Sequence, residues 1–127
     1  MADTYPLSNP GSELNPGPDG NKVQFNVSDG TPGKITFCLS SANNITWWKG
    51  VKVFGDDSWN AIGLIETQDS SHGPVCITLD VGQFQEEKSR LEFWKAKFAG
   101  AHTDMIHYSF NPVQYAGKQL SFIWKTD

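Results

Sequence analysis

The segment Gly55-Asp56-Asp57-Ser58-Trp59-Asn60 carries the residue types best suited to binding chemistry in this sequence. It sets an indole among two carboxylates and an amide. An exposed indole can cover the C–H face of a pyranose and bury apolar area, while Asp and Asn oxygens accept hydrogen bonds from neighbouring hydroxyls and the indole N–H donates one. Two further tryptophans fall at outward positions if their strands alternate: Trp48 shares the parity of Thr46, and Trp94 that of Glu92. Trp47 runs with Ile45, and Trp124 with Leu120 and Phe122, toward the core. The expected ligand-binding residues are therefore Trp48, Asp56, Asp57, Trp59, Asn60 and Trp94. The competing reading packs the same rings, with Trp59 plugging a loop and Trp48 and Trp94 covering a second small core or an oligomer interface.

Other chemistry is poorly supplied. Asp56-Asp57 with Asp69 or Asp80 lacks the loop spacing that gathers oxygens around calcium, so the pair reads as a solvated turn that accepts its own backbone N–H groups. His102 and His107 fall on opposite faces of a strand, and His72 sits in a turn; none has metal-ligand spacing, and His107 reads as a surface or packed histidine. Cys38 and Cys76 form no C-x-x-C pair and cannot close a zinc site alone. A G-x-S-x-G elbow is absent, and Glu66 and Glu92 lie on strands with nothing to mark them as a paired acid and base. The expectation is a protein that is not an enzyme and uses no metal or cofactor.

These residues sit in a chain of 127, 38% hydrophobic and 13% aromatic, enough for one packed domain. Ten basic residues against fourteen acidic ones give a net charge of −4, and Arg90 is the sole arginine. That excludes nucleic acid as an expected partner, since phosphate binding needs clustered cations. No apolar stretch is long enough for a membrane-spanning helix, and the acidic balance disfavours anionic membranes. The N-terminus lacks the basic start and apolar stretch of a secretory signal. The expected location is cytoplasmic, or secreted without a recognisable signal peptide.

Residues 1–20, rich in Pro and Gly, read as a flexible or draped arm without regular structure. Residues 21–127 read as a single domain of short alternating strands: Val23–Val27, Ile35–Leu39, Ile45–Phe54, Ala61–Thr67, Val75–Val81, Arg90–Phe98, Met105–Phe110 and Leu120–Lys125. Turn clusters separate them, and Val81–Arg90 has room for one helical turn. The expected fold is all-β, an antiparallel β-sandwich of about eight strands, immunoglobulin-like or jelly-roll-like.

The run Gly33–Cys38 followed by Ile45–Gly50 resembles strands B and C of an immunoglobulin domain, a cysteine followed by a tryptophan. The tyrosine corner is missing, however, because Gly73-Pro74-Val75 precedes Cys76. Parity also turns both cysteines away from the core, whereas an immunoglobulin disulfide lies within it. As a whole profile, a short, leaderless, acidic, tryptophan-rich β-chain resembles the small all-β lectins and defence proteins of fungal type. No motif of a named lectin family accompanies the likeness. The resemblance implies a homo-oligomeric lectin whose partners are glycans or glycoproteins. A protein–protein interaction module and a membrane-active β-protein would use the same aromatics.

Overall fold

A computed structural model describes residues 4–14, 22–41, 48–66, 74–96 and 103–125. The chain is nearly all β. Its strands are β1 (Thr4–Pro6), β2 (Glu13–Leu14), β3 (Lys22–Asp29), β4 (Lys34–Ser41), β5 (Trp48–Phe54), β6 (Gly63–Glu66), β7 (Val75–Asp80), β8 (Arg90–Ala96), β9 (Thr103–Ser109) and β10 (Lys118–Lys125). Among the described residues the one helical element is a 3-10 turn at Val81–Gln83. Among the described residues these strands form two five-stranded sheets, ordered β1-β9-β8-β5-β6 and β2-β3-β10-β4-β7.

Two expectations need correcting. The sheets are mixed, not antiparallel throughout, because β10 pairs parallel to β4 and β1 parallel to β9. The first follows from geometry: β3 and β4 run in opposite directions, so β10, inserted between them, must be parallel to one. The arm also contains regular structure. Thr4–Pro6 adds an edge strand to one sheet and Glu13–Leu14 an edge strand to the other, pieces too short to leave a periodic signal.

The alternating strands bury their apolar sides between the sheets. Phe25 stacks on Phe122 at 5.3 Å within one sheet; Phe122 meets Phe93 of the other at 5.2 Å, and Phe93 meets Tyr108 at 5.0 Å. This line of rings, all fully buried or nearly so, joins the sheets through the centre of the core. At one end Phe84, delivered by the 3-10 turn, packs on Phe37 and Phe110. The turn before β4 has Pro32 second and Gly33 third, with Gly33 at φ 77° and the Lys34 N–H bonded to Thr31 O at 3.2 Å. Those are the residues a type II turn requires.

Cys38 and Cys76 stand directly opposite each other on β4 and β7 and form a disulfide within one sheet, on the face turned away from the core. Neighbouring cross-strand pairs reinforce the same ladder. Thr36 and Thr78 share a hydrogen bond at 3.0 Å, and Lys34 pairs with Asp80. On this outer face the register aligns Asn26, Ser121, Cys38 and Cys76 in one row, and Ser28, Gln119, Thr36 and Thr78 in the next.

Candidate functional site

The loop from Gly55 to Asn60 joins β5 to β6 and is held from below by Arg90 at the start of β8. Nη1 of Arg90 donates to the Asp56 carbonyl at 2.7 Å and Nη2 to the Ser58 carbonyl at 3.0 Å. The guanidinium lies over the Phe54 ring at 4.0 Å and stands 5.8 Å from the Trp59 ring centre. A planar fork meeting two carbonyls fixes the loop's direction in a way that a point charge does not. Inside the loop, Asp56 Oδ1 accepts the Ser58 N–H at 2.9 Å, and Ser58 Oγ accepts the Asn60 N–H at 3.2 Å. These are the local turns that short polar side chains favour.

The result is a tryptophan displayed on a braced loop. Trp59 is 81% exposed, the most exposed of the large apolar residues described. Asp57 and Asn60 flank it at the surface, and Lys88 Nζ lies 3.6 Å from Asp57 Oδ2. Four of the six expected site residues, Asp56, Asp57, Trp59 and Asn60, therefore share one loop. Trp48 and Trp94 occupy the far end of the β5/β8 ladder, where Trp48 pairs with Lys95 and Trp94 with Gly50. Trp94 lies four residues beyond Arg90, about 13 Å along β8. The side chains of Trp48, Trp94 and Trp124, and all of Trp47, lie outside the described residues, as do His72, His102 and Asp69.

Below Arg90 lies a group that strand alternation alone does not reveal. Glu92 has outward parity, yet it is only 1% exposed. Its Oε2 sits 3.6 Å from Arg90 Nε and 2.7 Å from His107 Nε2, although those last two atoms do not align as a well-formed hydrogen bond. The usable signal was the single arginine two residues from a carboxylate, because i and i+2 share a face. His107 is packed against this carboxylate.

Gly55 is buried where the loop begins. A Cβ placed there would lie 2.1 Å from the Gln83 carbonyl oxygen, while the Gly55 carbonyl accepts the Gln85 N–H at 2.7 Å. Backbone meets backbone here, so no side chain can swing aside. Gly55→Ala is expected to destabilise the fold by about 3 kcal/mol, measured by urea denaturation. A loss below about 1 kcal/mol would mean that the loop and the 83–85 segment are not clamped together.

Hydrogen bonds from Ser58, the hydroxyl foremost and then the backbone N–H, hold the Asp56 carboxyl below the usual carboxylate range. Since the folded-state value lies below the unfolded one, this contribution is complete above the ordinary range and is lost as pH falls through the folded value. The Asp56 carboxyl carbon should titrate in NMR below a free aspartate, with Trp59 emission constant until that point. A midpoint at or above the free value would contradict the turn geometry.

No family model, curated protein or solved structure matches this chain.

Proposed function

We propose that this protein binds carbohydrate without catalysis, with Trp59 as its stacking platform and Asp57 and Asn60 as hydrogen-bonding flanks. One observation carries the reading: a large indole stands almost fully in water while its loop is braced by Arg90 and two local turns. An indole left in water forgoes the stabilisation that burial would give, and bracing its loop lowers the entropy lost when a ligand docks. A sugar's C–H face fits such a ring, and its hydroxyls meet the adjoining carboxylate and amide. We read the double sheet as a sandwich of immunoglobulin-like or jelly-roll-like kind, in which end loops and outer faces are left to bind ligands. A homo-oligomer would multiply these loops and raise avidity for glycans or glycoproteins.

A glycan array with the wild-type chain and Trp59→Ala tests this. Binding confined to one glycan class and reduced at least tenfold in the variant is the expected result. A blank array, together with a dimer that dissociates on dilution and exposes indole, would assign Trp59 to a protein interface instead. Leakage of dye from liposomes would assign it to membranes.

A further inference from the structure

The outer face of the β3-β10-β4-β7 sheet holds a second surface, on the sheet that does not carry the Trp59 loop, and independent of the reading given to that loop. Its two central rows contain no charged residue, in a chain with ten basic and fourteen acidic ones. Charge is confined to the margins. Lys34 and Asp80 neutralise each other at one end, Lys22 registers with Lys125 at the other, and Glu13 stands on the edge strand β2. Between them the side chains of Asn26, Gln119, Ser121, Thr36 and Thr78 are part-exposed or exposed, and every one both donates and accepts hydrogen bonds.

We infer that this face binds an uncharged polysaccharide lying across the strands. Charge complementarity selects the occupant. A polyanion or polycation finds no counter-charge in the central rows, and a lipid surface would leave amides and hydroxyls without partners. A second copy of the face would bury the same polar groups with little apolar area to offset them. A neutral polysaccharide presents hydroxyls that donate and accept as this face does. The side chains repeat about every 5 Å across strands and about every 7 Å along one, a spacing on the scale of successive sugar rings.

The test is co-sedimentation with microcrystalline cellulose and with chitin, using polygalacturonate as a charged control. Thr36→Val/Gln119→Met keeps size and strand propensity while deleting hydrogen-bonding groups, and Trp59→Ala is run beside it. The expected result is retention on a neutral polymer, at least tenfold weaker for the double variant, unchanged for Trp59→Ala, and absent on polygalacturonate. Circular dichroism of the double variant checks that its fold is intact; if it is not, Ser121→Ala alone is used, with a threefold loss expected. Four results would overturn the inference: no retention on either neutral polymer, equal retention of the face variants, loss only with Trp59→Ala, or a wild-type dimer that the face variants split. The third would move polymer binding to the Trp59 loop; the other three leave the reading of that loop to the glycan array.

Discussion

Arg90→Met is expected to cost about 3–5 kcal/mol, the largest effect of any single substitution considered for this chain. Methionine retains much of the stem but removes the fork and, with it, the guanidinium's contact over the Phe54 ring. The Asp56 and Ser58 carbonyls lose their donors, and Glu92, 1% exposed, loses its arginine while His107 remains beside it. A buried carboxylate stripped of its cation is costlier than a pair never built, so Glu92→Gln added to Arg90→Met should recover part of the loss. Arg90→Lys should rescue only partly, since an ammonium restores the charge without the two-pronged geometry. Urea denaturation of the four proteins gives the comparison. A loss under about 1 kcal/mol for Arg90→Met would show that the loop stands without its brace.

Removing the Cys38–Cys76 disulfide is expected to cost about 3–4 kcal/mol. The bond joins residues 38 apart, and closing a ring of that size removes much chain entropy from the unfolded state. The enclosed segment contains β5, the Trp59 loop and β6, so a link within one sheet also limits the wandering of strands that belong to the other. Unfolding with and without reductant measures the difference, and Cys38→Ala/Cys76→Ala should match the reduced protein. Equal midpoints under both conditions would contradict the assignment.

The strands were legible wherever one side faces the core. Val23, Phe25 and Val27 alternate with polar neighbours, as do Ile35, Phe37 and Leu39, and those apolar residues turn inward. The same parity put Cys38 and Cys76 outside the core, where they meet. Sheet order was not legible, because alternation says which side a residue faces and nothing about its neighbour across the ladder. The insertion of β10 between β3 and β4 is a relation between residues far apart in sequence. At the site, the polar run around Trp59 pointed to an exposed ring and a self-capped turn. Glu92 escaped because outward parity ordinarily means solvent, and its burial depends on Arg90 and His107 converging from two strands.

The insertion of β10 bears on how the chain is made. β3 and β4 are made before β10, yet in the folded sheet the two do not pair with each other, since the place between them belongs to residues 118–125. The edges that face each other across this gap find their native partner only after nearly eighty further residues are synthesised, and the sheet closes when β10 arrives. For that interval the nascent chain depends on whatever shields unpaired strands in the cell.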